Sequence, residues 1–263
     1  EHELDEKKTA YEGTLDQLYN QNFETFIEYS RQDTALLDKL DKKLRFLALA
    51  NELAHANTVL LQTTMGAVAV TEQAIINEAH EQGLVVPNRR ERLTDEDTQA
   101  AGAYVAYPKK GMHEWVGAID INSLYPSAIR ALNMAGETIV GQLRPVMTDN
   151  YIKNKINNKS SFAMAWEGLF GTLEYTAVMK QSIGTEITVD WENGSESVHS
   201  AAEIWKLIFD SNQPWMLSAN GTIFTYEKEG VVPGLLKRWY SERQEIQAKL
   251  KQATDPDERE FLD

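Results

Sequence analysis

A single aspartate interrupts a short apolar run in the middle of the chain, and its surroundings restrict what this region can form. Residues 115–121 read WVGAIDI, which predicts a buried strand with Asp120 near its end. Pro126 favours the first turn of a helix that continues to about Asn133. An ionised carboxylate in an apolar strand is costly unless it is paired or bound to metal. Asp120 therefore caps the following turn, pairs with a buried arginine, or binds a metal ion.

Composition excludes several kinds of site. The 263 residues include no cysteine, which excludes disulfides, thiolate metal sites and cysteine nucleophiles. The five histidines lack the spacing of zinc ligands, and no P-loop or dinucleotide-binding glycine turn occurs. Without a long apolar run or a secretory signal, we expect no membrane partner and an intracellular location. The formal net charge of -14 opposes nucleic-acid binding, so contact with DNA would require a local basic surface or parts of a larger protein.

Hydrophobic periodicity predicts helices towards both ends of the chain. Apolar residues recur at helical steps from Phe23 to about Asn57, and a further helix is predicted over 71–81, closed by Gly83. Near the other end, apolar positions from Pro233 onwards predict a helix that is interrupted at 254–256.

The middle of the chain predicts mixed structure. The charged stretch 88–98 is typical of an exposed linker. The Asn-Gly pairs at 193–194 and 220–221 each lie between strand-like runs and predict hairpins. Together with the terminal helices, these patterns predict an α+β fold.

The segment that begins at Asp120, DINSLYPSAIRALNMAGETIVG, resembles the motif A pattern DxxSLYPSIIxxxNxxxET of family B DNA polymerases, in the form found in T-even-type phages. An Asp followed by SLYPS is highly specific for that motif. The resemblance implies that Asp120 binds both catalytic Mg²⁺ ions and that the carbonyl of Ile121 ligates one of them. It also implies that the backbone at Ser123 and Leu124 holds the incoming triphosphate, and that Tyr125 lies under the sugar and excludes a 2'-hydroxyl.

Tyr29 and Asp33 form a second pattern, because residues four apart share one helical face. That face continues through Leu37, and by itself the pattern also fits a boundary acid paired with a neighbouring Lys or Arg. YSRQD resembles the third motif, Y-x-x-x-D, of the polymerase's proofreading exonuclease. The resemblance implies that Asp33 binds a metal ion and that Tyr29 orients the attacking water.

The last predicted helix carries a third pattern, in which Tyr240, Arg243, Gln247 and Lys251 fall near one face. An ordinary solvated helix face would look the same. The segment EGVVPGLLKRWYSERQEIQ resembles the start of the fingers subdomain, where an Arg and a Lys grip the triphosphate. Arg243 matches that Arg, and its planar guanidinium suits phosphate. Gln247 stands where Lys is usual, with Lys251 one turn later as a possible substitute.

The resemblance implies that the α+β fold is a fragment of a right-hand polymerase. Residues 1–45 correspond to the end of the 3'-5' exonuclease domain and residues 46–88 to a return segment of the amino-terminal domain. The first part of the palm, with the motif A strand, turn and helix, spans 89–229 and includes an insertion at about 150–212 without a predicted function. The fingers begin in 230–263.

Several family motifs are missing. The sequence has no KxxxNSxYG fingers helix, no DTD segment for the second metal-binding Asp and no earlier exonuclease carboxylates, and Ala100 replaces a template-contacting Tyr. Two-metal phosphoryl transfer needs carboxylates from both segments, so we expect the chain alone neither to extend nor to degrade DNA. The expected partners are primer-template DNA, dNTP and a second polymerase chain that carries the remaining palm, fingers and thumb. The expected location is the cytoplasm of an infected bacterium.

A second hypothesis is a non-catalytic scaffold derived from a family B polymerase that binds DNA or a replisome partner. The acidic charge, the missing motifs, Ala100 and Gln247 favour it.

Overall fold

The computed structural model describes residues 10–88, 107–159, 165, 171–255 and 259. The chain divides into two compact units, residues 1–86 and residues 87–263. Apart from Asn88, the predicted linker lies outside the described residues, as does Ala100. No helix within the described ranges is both long and apolar enough to cross a bilayer.

The first unit is helical. Its helices are α1 (Leu15–Gln21), α2 (Phe23–Leu44), α3 (Phe46–Asn57) and α4 (Ala67–Glu81), with a 3-10 turn at Leu61–Met65. The helices predicted between Phe23 and Asn57 are thus confirmed. They are separated at Arg45, which takes a left-handed conformation with φ 53°. The side chain of Asp41 accepts a hydrogen bond from the Leu47 N–H and so caps the start of α3.

The first unit buries few apolar side chains. Those that are buried in its described part are Leu18, Val70, Ala74 and Ala79. Helix α2 buries no residue, and Leu37 is 67% exposed. Of the apolar face predicted through Leu37, Leu40 and Leu44, Leu37 is therefore exposed, whereas Leu40 and Leu44 are half-buried. Helix α2 packs against α1 near Tyr19, Phe23 and Phe26, whose rings cluster 5.3–6.2 Å apart, whereas Leu37 lies about three turns farther along.

The second unit contains an antiparallel five-stranded sheet in the order β3-β2-β1-β5-β4. Both predicted hairpins are confirmed, because Gly194 (φ 80°) and Gly221 (φ 89°) turn the chain between β2 and β3 and between β4 and β5. The strands are β1 (Ile139–Leu143), β2 (Glu186–Trp191), β3 (Glu196–Ser200), β4 (Trp215–Leu217) and β5 (Thr222–Thr225).

Helices accompany the sheet in the described part of this unit, together with a 3-10 turn at Gly136–Thr138 and a π-helical turn at Lys206–Asp210. The helices are α5 (Leu124–Ala131), α6 (Val146–Asn157), α7 (Leu173–Met179), α8 (Ala201–Trp205) and α9 (Val231–Gln252). Helix α9 begins two residues before Pro233, which occupies the first turn, where its missing N–H costs no hydrogen bond. The mixed helices and sheet confirm the α+β prediction.

The insertion at about 150–212 supplies most of the core of the second unit. Leu143, Leu217 and Ile223 come from the rest of the chain, and the insertion contributes seven further core residues: Ala177, Val178, Ile187, Val189, Ala201, Ile204 and Ile208. The insertion also forms β2 and β3, which extend the sheet beyond β1. It is therefore an integral part of this unit rather than an exposed loop.

A buried acid ties the insertion to α6. Glu174, on α7, is 2% exposed, and its carboxylate accepts hydrogen bonds from the N–H groups of Met147 and Thr148 and from the Thr148 hydroxyl. These donors lie at the start of α6, where the backbone has unpaired N–H groups and a positive dipole end. Glu174 thus caps α6 from a neighbouring helix.

Residues 115–121 do not form the predicted strand. Trp115 has φ 59°, which is incompatible with an extended strand, and Trp115 and Ile119 are 99% and 97% exposed. Within the described residues the five strands pair only with one another, so no neighbouring strand covers this segment. The strand of the predicted strand-turn-helix is therefore wrong, whereas its turn and its helix, α5, are present.

Candidate metal and nucleotide site

Asp120 is exposed rather than buried, which corrects the prediction of a carboxylate held inside a strand. Its carboxylate makes no hydrogen bond or ion pair with any residue that the structure describes. Neither the capping role nor the arginine pair that the sequence left open occurs among these residues. Water can solvate the charge at this position, so the carboxylate remains available to a ligand.

The turn after Asp120 leads into α5 with its first amides uncapped. Ser123 is the N-cap residue, with φ 51° and ψ 53°, and its carbonyl accepts a hydrogen bond from the Ser127 N–H at 2.9 Å. Among the residues that the structure describes, no side chain caps the helix, and Pro126 has no N–H. The amides of Leu124 and Tyr125 are therefore open, at a helix end that favours anions.

The side chains at this turn are also exposed. Leu124 is 51%, Tyr125 73% and Ile121 59% exposed. The predicted nucleotide contacts at Ile121, Ser123, Leu124 and Tyr125 therefore form one continuous, accessible segment beside Asp120.

Helix α9 packs beside α5 and brings the third predicted pattern close to the first. The Arg130 guanidinium of α5 lies 4.9 Å from the ring centre of Tyr240 on α9, at cation–π distance. Arg243 is exposed and follows Tyr240 by one helical turn. A cavity of about 410 Å³ lies where the two helices meet, lined by Arg130, Lys237 and their neighbours.

The predicted exonuclease residues lie in the other unit. Tyr29 and Asp33 are both half-buried on α2, and the Tyr29 ring meets the Tyr11 ring edge-on with centroids 5.1 Å apart. Both side chains have interaction partners. Their metal-binding and water-orienting roles stay predictions.

The described residues contain no group of three or more His, Asp or Glu side chains that could enclose a metal ion. Asp120 offers a carboxylate that no described residue pairs with, next to the Ile121 carbonyl, and oxygen ligands of this kind suit Mg²⁺. Asp120 and the Ile121 carbonyl thus supply some of the ligands that a two-ion site needs. The described residues do not supply the other carboxylates of such a site.

Three residues of the motif A pattern had no role in the sequence analysis. Asn133 and Glu137 form hydrogen bonds between the end of α5 and the start of α9, and the Thr138 hydroxyl hydrogen-bonds to the carbonyls of Asn133 and Ala135. Their sequence signal was their place in the N-x-x-x-E-T part of the pattern. The contacts of Asn133 and Glu137, with residues more than ninety positions away, could not be read from that spacing.

Comparison with known proteins identifies the family. The description of DNA polymerase family B matches residues 57–263. The chain is 28% identical to the DNA-directed DNA polymerase of Escherichia phage RB69 over 152 residues, which are 58% of this chain and 16% of that protein. It is 26% identical to the corresponding enzyme of Enterobacteria phage T4 over 152 residues, covering 58% of this chain and 17% of that protein.

A relative outside the phages matches a shorter region. DNA polymerase 2 of Aeropyrum pernix is 34% identical over 115 residues, which are 43% of this chain and 14% of that protein. The matched regions thus span about a sixth of the length of each phage polymerase. The family match covers most of the sequence, and the chain belongs to DNA polymerase family B.

Proposed function

We propose that this chain is the part of a DNA-directed DNA polymerase that supplies the first metal-binding carboxylate and a triphosphate-binding arginine. The observation that carries the proposal is the Asp120 carboxylate, which has no partner among the described residues and lies a few residues before α5, whose first amides no described side chain caps. This arrangement offers a cation ligand and anion-binding N–H groups within a few residues of each other.

Each exposed residue of the site has a role in nucleotide addition. The amides of Leu124 and Tyr125 hydrogen-bond the phosphates, and the Tyr125 ring lies beneath the sugar. The Arg243 guanidinium binds the triphosphate from α9. Asp120 and the Ile121 carbonyl would hold Mg²⁺, and the ion would supply charge neutralisation while the primer 3'-hydroxyl attacks the α-phosphate in line and pyrophosphate leaves as the α–β phosphoanhydride bond breaks.

The proposal extends to the rest of the enzyme. The other metal-binding aspartate and the remaining palm, fingers and thumb belong to the rest of the polymerase. Primer-template DNA is the substrate, and Tyr29 and Asp33 belong to a proofreading exonuclease site. Phage relatives support the cytoplasm of an infected bacterium as the location.

Primer extension tests the proposal. The purified chain is combined with a polypeptide that carries the remaining palm, fingers and thumb of a related phage polymerase, and Mg²⁺-dependent dNTP addition is measured. We expect synthesis that Asp120→Asn abolishes and that Asp210→Asn, a change at another exposed acid, preserves. Synthesis that persists unchanged in Asp120→Asn would overturn the proposal.

The exposed apolar residues of the same segment favour a second function. Met112, Trp115 and Ile119 are each at least 95% exposed, which is unusual for large apolar side chains and typical of a surface that contacts another protein. A non-catalytic scaffold that binds a replisome partner would use this segment without Asp120. In the same experiment it predicts a folded, associating pair of chains without synthesis.

A further inference from the structure

The end of α5 and the start of α9 are joined by side chains of the segment 133–138. We propose that Asn133 and Glu137 are positioning residues that fix the first turn of α9 and thereby the direction in which Arg243 is presented to a nucleotide. This inference rests on the proposed nucleotide-binding role of Arg243. We call the hydrogen-bonded set formed by Asn133, Glu137, Thr138, Gly230 and Val231 the α5–α9 clasp.

Asn133 uses its whole side-chain amide in the clasp. Its Nδ2 donates to the carbonyls of Thr225 and Lys228, both at 2.8 Å, and its Oδ1 accepts from the Gly230 N–H at 2.9 Å. The residue is 8% exposed. It also has φ 50°, a conformation that asparagine tolerates better than most residues. One side chain thus fixes both the loop after β5 and the residue before α9.

Glu137 completes the cap of α9. Its Oε1 accepts a hydrogen bond from the Val231 N–H at 2.6 Å. The first intrahelical bond of α9 joins the Gly234 N–H to the Gly230 carbonyl, so residues 231–233 have no intrahelical acceptor. Pro233 has no N–H, and the N-cap residue, Gly230, has no side chain that could accept a hydrogen bond from these amides. Glu137 and Asn133 therefore replace the side-chain cap that Gly230 cannot provide, and a carboxylate at this end also complements the helix dipole.

The segment that carries these two side chains is itself held in place. Thr138 is fully buried, and its hydroxyl lies 2.6 Å from the Asn133 carbonyl and 2.9 Å from the Ala135 carbonyl. The Cα of Gly230 passes so close that an added Cβ would lie 2.7 Å from the Ala135 Cβ. The clasp is thus tightly packed, with little room for α9 to begin in another position.

The clasp has a consequence for the nucleotide site. Arg243 lies about three turns along α9 from the clasped residues, so a change in the direction of the first turn displaces its guanidinium. Arg130 and Tyr240 stack partway between, on α5 and α9 respectively. The clasp therefore relates the helix that carries Tyr125 to the helix that carries Arg243.

Amide NMR of the 263-residue chain tests both parts of the inference. Hydrogen exchange at Gly230 and Val231 reports the clasp, and titration with Mg²⁺ and dATP reports nucleotide affinity. We expect Glu137→Ala to speed exchange at Val231 by about tenfold or more, because the amide loses its acceptor. Glu137→Ala should also raise the Kd for dATP by about tenfold, which is the effect of losing about one net hydrogen bond between Arg243 and the nucleotide. Glu137→Gln keeps an acceptor oxygen and should restore both values.

A double variant separates positioning from general destabilisation. In an Arg243→Ala background, Glu137→Ala should leave the dATP Kd unchanged, because the affected contact is already absent. Glu227→Ala, at an exposed position of the same loop, is the matched control and should alter neither measurement. Asn133→Ala should behave as Glu137→Ala does, with faster exchange at Gly230.

The outcomes distinguish failure of the inference from failure of the proposed function. Unchanged exchange in Glu137→Ala and Asn133→Ala, or a dATP Kd that rises equally with and without Arg243, overturns the inference. Faster exchange in a chain that shows no dATP-dependent shifts at all overturns the proposed nucleotide site and, with it, the positioning role, while the clasp itself stands.

Discussion

Two regions of the second unit, both within the residues that match the polymerase family, differ in how they are packed. The segment 107–123 has no regular structure, exposes Trp115 and Ile119 almost completely and leaves Asp120 without a partner among the described residues. The region from Asn133 to Val231 contains the sheet, the core and the α5–α9 clasp. The residues proposed to perform chemistry are therefore not those that stabilise the fold, and substitutions should affect stability and ligand binding separately.

This separation can be measured directly, because all six tryptophans lie in residues 87–263. Tryptophan fluorescence during urea unfolding therefore reports the second unit alone.

Removing core volume from the insertion should destabilise the second unit most. Ile204 is 1% exposed and packs in the core, so Ile204→Ala should lower the free energy of unfolding by about 2–5 kcal/mol. The same change at Ile119, which is 97% exposed, should stay within about 0.5 kcal/mol. If urea unfolding showed a similar loss of unfolding free energy for both substitutions, the two regions would not differ in their contribution to stability.

Removing the buried cap of α6 should have the next largest effect. Glu174→Ala leaves the Met147 and Thr148 donors without their acceptor, which should cost about 2–4 kcal/mol. Glu186→Ala, at an exposed acid of β2, should change the unfolding free energy by less than about 0.5 kcal/mol. If Glu174→Ala changed the unfolding free energy as little as Glu186→Ala, the hydrogen bonds between Glu174 and α6 would contribute nothing to stability.

Two glycines four residues apart should respond with opposite signs. Gly230→Ala places a Cβ 2.7 Å from the Ala135 Cβ and should destabilise by about 1–3 kcal/mol. Gly234→Ala adds a methyl group inside α9, where its nearest neighbour, Glu229 Oε2, is 3.5 Å away, and should stabilise by about 0.5–1 kcal/mol. Equal effects of the two substitutions in urea unfolding would show that the close approach in the clasp is absent.

Replacing Glu203, which caps α8, should change the free energy of unfolding least, and the change should depend on pH. Hydrogen bonds from the Ser200 N–H and hydroxyl lower the pKa of Glu203. A carboxyl with a lowered folded-state pKa adds stability above its ordinary value of 4.5, and that stability disappears as the pH falls through the lower folded-state pKa. Comparing urea unfolding of the parent and Glu203→Gln should therefore show a difference at neutral pH that vanishes in acid. A difference that grows in acid would contradict this assignment.

Local patterns allowed much of the fold to be predicted. Helices α2, α3 and α9 follow from apolar periodicity, and the two hairpins follow from Asn-Gly pairs, whose glycines take positive φ. The start of α5 follows from Pro126. These features depend on interactions within a few residues, which the sequence displays directly.

The failures concern contacts made at long range. WVGAIDI has strand composition, but a buried strand needs neighbours, and the described sheet offers it none. The insertion gave no family signal, yet it contributes most of the core, in which Val178, Val189 and Ile204 belong to different elements and come together through the fold of the whole unit. Within the candidate site, the succession of residues from Asp120 to Tyr125 along one turn could be predicted from the motif. The exposure of Asp120 and the capping roles of Asn133 and Glu137 could not, because both depend on distant parts of the chain.

The central claim is that Asp120 is a metal ligand with an adjacent phosphate-binding turn. The most direct measurement uses Mn²⁺ as a paramagnetic probe in the amide NMR spectrum of the chain with dATP. We predict selective broadening of the signals of residues 119–125, which Asp120→Asn removes and Asp210→Asn preserves. Broadening of that segment that survives in Asp120→Asn, or broadening centred elsewhere in the chain, would contradict the assignment of Asp120 as the metal-binding carboxylate.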